Sequence, residues 1–174
     1  MTVLVEAISV IIRIPTLEKK YPGGLFAYER DCPNGSFCID RHLTRVGFMA
    51  PDDTRRFVER LQKLGLEYLR DGEAVDLVVV DQLYGPTSRC RWLKAARHPD
   101  GFAFAWKART VPGSFAYPDG WSPAQSAALD FAGEEEAAER LMTLKREKGF
   151  EVALDFKTGR EVVIARSTDT ENSS

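Results

Sequence analysis

The chain has 174 residues, of which 44% are hydrophobic and 29% charged, with a formal net charge of −2 and a pI near 5.8. That length suits one well-buried core and is short for two, and the mild acidity excludes a protein held to nucleic acid or to an anionic membrane by its overall field. Three cysteines, an odd number, fit a reducing compartment better than a disulfide framework, so the protein reads as cytoplasmic.

Residues 3–14 are apolar apart from Glu6 and Arg13 and fall short of the roughly 18 residues needed to span a bilayer, which predicts a buried, central strand. Pro15 closes it. Residues 16–21 suit a helical turn, Pro22-Gly23-Gly24 interrupts, and residues 25–31 resume before Cys32-Pro33-Asn34-Gly35 forces a turn. Asn34-Gly35-Ser36 matches the glycosylation acceptor pattern but reads as part of that turn. Short strands are expected at 37–40 and 44–49. The most legible unit comes next: Pro51 at a first helical position, Asp52 and Asp53 in the first turn, Phe57, Val58, Leu61 and Leu64 at helical spacing, and Gly65 as the stop. Strands at 66–70 and 75–80 flank Asp71-Gly72-Glu73, a hairpin signal.

Residues 89–96 and 102–109 read as a further hairpin around Pro99-Asp100-Gly101, and residues 110–123 as a Pro/Gly-punctuated loop. Ser122 and Gln125 suggest a capping box. Residues 134–148 are expected to form one helix, with three glutamates at its start, Lys145, Arg146 and Lys148 at its end, and a buried stripe of Ala137, Ala138, Leu141 and Leu144. A hairpin over 150–156 and 161–165 follows, then a polar tail, 167–174, expected to be disordered. The expectation is an α+β protein with an antiparallel or mixed sheet built from two strand-helix-strand halves, ferredoxin-like or βαβββ-like. Its divisions are a core over 1–109, a loop over 110–123 and a helix-plus-hairpin extension over 124–166.

The densest reactive cluster is Cys32, Cys38, Asp40 and His42. On a strand Cys38, Asp40 and His42 share one face, with about 7 Å between successive side chains, whereas a nucleophile and its base need reach of roughly 2.6–3.2 Å. They stand, with Asp81 at a strand end, as the candidate catalytic residues, against the simpler reading of a buried thiol and turn-capping carboxylates. Cys32, Cys38 and Cys90 with His42 or His98 lack the short spacing of zinc knuckles, so neither a metal nor another cofactor is expected. Greater weight falls on the hairpin: Arg89, Arg91, Lys94, Arg97, Lys107 and Arg109 stand there against one acid, Asp100, beside Phe102, Phe104, Trp106 and Trp92. With the loop aromatics they give a candidate binding set of Arg89, Arg91, Trp92, Trp106, Arg109, Tyr117 and Trp121. A protein partner or a small anionic ligand fits such a local patch better than nucleic acid, which such proteins hold with a strongly basic whole-domain field, and no membrane contact is implied. The acidic stretch 130–139 could meet a basic partner or satisfy the basic hairpin within the chain.

The order of elements from Thr44 to Arg109 resembles, at the level of topology, the βαβββ modules of the glyoxalase and bleomycin-resistance superfamily. The resemblance implies a ligand-binding sheet. It does not carry that superfamily's metal ligands, because residues 46–49 contain neither His nor Glu and the strands around Val78 and Trp92 supply no glutamate. The functional expectation is a non-catalytic cytoplasmic binding module for a protein partner or small ligand, inhibitor-like or immunity-like in size and acidity. The alternative is a small-molecule-binding protein or enzyme of the βαβββ type, with a pocket lined by Trp92, Phe104, Trp106 or Trp121.

Overall fold

A computed structural model describes residues 1–127 and 131–167. In chain order the elements are β1 (Thr2–Val5), β2 (Ile8–Arg13), α1 (Ile14–Lys20), α2 (Gly24–Arg30), β3 (Cys38–Ile39), β4 (Leu43–Phe48), α3 (Pro51–Lys63), β5 (Leu69–Arg70) and β6 (Glu73–Ala74). There follow β7 (Leu77–Asp81), β8 (Gly85–Pro86), β9 (Leu93–Arg97), β10 (Ala103–Lys107), β11 (Phe115–Ala116), α4 (Pro123–Ala127), α5 (Glu134–Arg140), β12 (Leu141–Glu147), β13 (Phe150–Asp155) and β14 (Arg160–Ala165).

The apolar N-terminal segment is not one strand. It turns a corner at Glu6 and Ala7, where Ala7 takes a left-handed φ of 51°, so that β1 and β2 join different sheets. Gln82 braces the corner: its Oε1 accepts the Ala7 amide at 2.7 Å and its own amide donates to the Ala7 carbonyl at 2.9 Å. β2 then runs down the middle of a five-stranded antiparallel sheet in the order β3-β4-β2-β7-β8, with Val10 opposite both Val46 and Val79.

Both faces of that sheet are covered. On one, Val10, Ile12, Val46, Phe48 and Leu77 pack against Leu17, Tyr28, Phe57 and Leu61 of the three N-terminal helices. On the other, Ile11, Leu43, Val78 and Val80 meet Val3, Val5, Leu93 and Ala105 of a second sheet, ordered β11-β1-β10-β9. Double burial explains why β2 and β7 are apolar almost throughout. The second sheet is mixed, because β11 pairs in parallel with β1 while β1, β10 and β9 are antiparallel. The protein is therefore α+β, and the strands between Thr44 and Arg109 are divided between the two sheets. Asp71 and Gly72 both take positive φ, 52° and 74°, and form the two-residue turn of the small β5–β6 hairpin.

The helix expected over 134–148 is half helix and half strand. α5 stops at Arg140, and residues 141–147 form β12, which pairs with β13 through a bulge between Thr143 and Lys145. The charged ends that suit a helix dipole are outweighed by tertiary partners: Asp155 takes the Arg140 guanidinium at 2.7 Å (Nε) and 2.6 Å (Nη2), and Glu151 is bonded by the Thr143 hydroxyl. Ala138 and Leu144, expected in a buried stripe, are exposed. The resulting sheet, β12-β13-β14, carries Glu151, Ala153 and Asp155 on its buried face and turns Val152, Leu154 and Val163 outward. It is tied to the body of the protein by Arg166, which grips Asp53 of α3 with Nε at 2.9 Å and Nη2 at 3.1 Å and Glu151 with Nη1 at 2.6 Å. Of the tail 167–174, Ser167 donates its amide to Asp53, and the rest lies outside the described residues.

Candidate functional site

Alternation along β10 separates its two faces. Ala103 and Ala105 point into the inter-sheet core, and Phe104 and Trp106 project from the opposite side. The loop expected over 110–123 folds back onto this outer side. It is anchored by β11 on β1 and by the Thr2 amide donating to the Ser114 carbonyl at 3.0 Å. The loop brings Phe115, Tyr117 and Trp121 to the sheet aromatics. Phe102 meets Phe115 edge-on at 5.5 Å and Trp121 at 5.4 Å, Phe104 stacks on Trp106 at 5.6 Å, and Tyr117 tilts onto Trp121 at 5.2 Å. His98, on the turn after β9, stacks on Phe102 at 4.5 Å. Beneath them Leu4 is fully buried.

The rings therefore form a small outer core whose upper surface remains open: Tyr117 is 51% exposed, and Trp106 and Trp121 are half-buried. The indole Nε1 of Trp121 is buried with no hydrogen-bond partner among the described residues. Basic side chains come from the same hairpin. Lys94 lies directly across the strand pair from Trp106 on the same face; Arg97 and Lys107, opposite Ala103 and Leu93, alternate to the other face at the ends of the strand pair, and Arg109 follows β10; all four are exposed. None of these four makes an ion pair among the described residues. Arg109 sits in the left-handed region, φ 67°, where the chain leaves β10 for the loop. Of the expected set, Arg91 is instead paired with Glu73 at 2.8 Å, and Arg89 is exposed on the β6 side, where its carbonyl accepts the Ala74 amide. Trp92 lies apart from the ring cluster, its Nε1 donating to the Ala74 carbonyl at 3.1 Å under the Arg13 guanidinium. The acidic helix α5 does not answer the basic hairpin: Glu134 lies 4.0 Å from Arg55, and Glu136 lies 3.3 Å from Arg140.

Three of the four candidate catalytic residues, Asp40, Asp81 and Cys38, have structural occupations, while His42 contributes its backbone amide. Asp40 Oδ1 accepts the amides of His42 at 2.6 Å and Leu43 at 2.8 Å, and Asp81 Oδ1 accepts those of Leu83 at 2.7 Å and Tyr84 at 3.2 Å, so both cap turns. Cys38 is buried opposite Arg45; burial pushes its thiol up against the opposing pull of that guanidinium, the reverse of an activated nucleophile. Burial also raises Cys90, and drives Cys32, beside the Tyr28 hydroxyl, up to about 12. All three cysteines are free, and among the described residues no three His, Cys, Asp or Glu side chains converge to hold a metal. Among the described residues no helix is long and apolar enough to cross a membrane.

Two features escaped sequence reasoning. Arg45, fully buried between the sheets, donates from Nε to Ser9 Oγ at 2.9 Å, from Nη1 to the Ser36 carbonyl at 2.9 Å and from Nη2 to the Glu6 carbonyl at 3.0 Å. Second, an open cleft of about 350 Å³ lies between α3 and the C-terminal sheet, its lining including Arg56, Arg146, Lys148, Phe150 and Arg166 and one acid, Glu147. The run Lys145-Arg146-Glu147-Lys148 was the available signal for it, but it was absorbed into the expected helix. Compared with known proteins, the chain matches no family model, no curated protein and no solved structure.

Proposed function

We propose that the protein is a non-catalytic binding module that docks an acidic protein partner on the aromatic face of its second sheet. The observation that carries this reading is the juxtaposition of Trp106, Tyr117 and Trp121, open to solvent on one surface, with Lys94 on the same face; Lys107 and Arg109 are exposed at the end of the same hairpin, and none of the three cations has an ion pair among the described residues. Rigid aromatic anchors supply contact area at small entropic cost, and unpaired cations around them select carboxylates and steer encounter. A protein partner fits better than a single-stranded nucleic acid. Phe102, Phe104 and Phe115 are spent on one another rather than presented flat for base stacking, and the chain as a whole carries net negative charge. The capped Asp40 and Asp81 and the raised Cys38 thiol support a non-catalytic role.

The test is affinity capture from the source cells with three baits: wild type, Tyr117→Ala and Lys94→Glu/Lys107→Glu. The reading expects one acidic protein retained by the wild type, depleted about tenfold or more by either variant, and released by salt. Retention by all three baits alike, or by none, contradicts it.

A further inference from the structure

The cleft between α3 and the C-terminal sheet is separate from the aromatic face, and its walls come from segments about ninety residues apart. Arg56 belongs to α3; Arg146, Lys148 and Phe150 flank the β12–β13 turn; Arg166 follows β14. A smaller hollow of about 80 Å³ shares Arg56 and Ser167 with it and adds Arg60. The carboxylates nearby are already committed. Asp53 is held by Arg56, by both Nε and Nη2 of Arg166 and by the Ser167 amide; Glu151 by Thr143, Arg146 and Arg166; and Glu147 by Lys145.

Several donors remain. Arg146 meets Glu151 as an ion pair, Nε at 3.4 Å, and its side chain donates no hydrogen bond among the described residues. Lys148 has no ion pair there, and Arg60 reaches only the Tyr21 hydroxyl, at 3.5 Å. Arg166, whose charge is answered by the buried carboxylates of Asp53 and Glu151, fixes the shape of the floor. A concave site with several uncommitted basic donors above a rigid floor is matched by a ligand carrying several negative charges close together.

We propose that this cleft binds a small, soluble oligophosphate-bearing ligand, its phosphates held by Arg146, Lys148 and Arg60 over the Arg166 floor. Phe150 is the apolar wall of the larger hollow, and Phe48 and Phe57 line the smaller one; against these the remainder of such a ligand would lie. Several linked phosphates would engage more of these donors than a single carboxylate, which would leave most of them unused.

The probe is inorganic tripolyphosphate, titrated into the full chain by isothermal calorimetry at low and at physiological salt. The expected result is saturable one-to-one binding, weakened about tenfold or more by Arg146→Ala/Lys148→Ala, whose side chains are exposed, and unchanged in Lys19→Ala/Arg41→Ala, exposed cations that do not line the cleft. A thermal melt on each variant shows that the fold is retained. Binding that is not saturable, or that falls equally in the Lys19→Ala/Arg41→Ala control, overturns the assignment and leaves only non-specific attraction of a polyanion to surface cations.

Discussion

Arg45 sets a guanidinium into the apolar layer between two sheets, and its neighbours are chosen for it. Burial lowers its proton affinity, while the charge of Glu6 and the Cys38 thiol oppose that drift. Gly47 makes the room. A Cβ on Gly47 would stand 2.8 Å from Arg45 Cζ and closer still to Nη2, and three hydrogen bonds prevent the guanidinium from withdrawing. Gly47→Ala should therefore cost about 2 kcal/mol in urea unfolding. Because the cost arises from one contact, the double variant Gly47→Ala/Arg45→Met should lose less than the sum of the two single variants. Additivity within about 0.5 kcal/mol would show that the glycine serves another purpose. At the same scale lies the reason for reading the thiols as structural: each is pushed up by burial, and Asp40 and Asp81 spend their carboxylates on turn amides.

At the scale of elements, Asp155 organises the C-terminal sheet. It accepts from Arg140, from the Lys157 amide at 2.9 Å and from Thr158 Oγ1 at 3.0 Å, and the Arg140 guanidinium above all holds its carboxyl well below the usual carboxylate range. A carboxyl depressed in the folded state contributes stability that is present above its unfolded pKa, about 3.9, and is lost as pH falls towards the folded value. The gap in melting temperature between wild type and Asp155→Asn should thus be constant from pH 7 to about 5 and narrow below about 4; a gap that widens on acidification contradicts the assignment. Local signals made some elements legible. Pro51, Asp52 and the Phe57-Val58-Leu61 spacing specify α3, and Asp71-Gly72 specifies its turn, because cap, period and turn chemistry all act within a few residues. The corner at Ala7 was hidden because it is made by Gln82, far along the chain. The change from helix to strand at Leu141 was hidden because its partner β13 overrides a charge pattern that alone favours a helix. The basic hairpin and Trp106, Tyr117 and Trp121 could be read from sequence, whereas the cleft could not, since Arg56 and Arg146 are brought together by tertiary links such as those of Arg166 and Ser167 to Asp53.

Taken as a whole, the molecule buries one sheet on both faces and leaves the second with an outer layer of rings that is only partly closed by the 110–122 loop. The net charge of −2 coexists with exposed cations on the β9–β10 hairpin that have no ion pair among the described residues, Lys94 on the aromatic face itself; on the proposed reading these would concentrate attraction for an acidic partner at that face instead of spreading it. The measurement that bears most directly on this account is site-specific photo-crosslinking in the source cells, with a benzophenone side chain placed at Tyr117 and, as control, at Phe26, which is exposed on α2 away from the aromatic face. The account predicts one acidic protein crosslinked from position 117, absent from position 26, and lost in the Lys94→Glu/Lys107→Glu background. No adduct at 117, an adduct shared by both positions, or one indifferent to the charge reversal would contradict it.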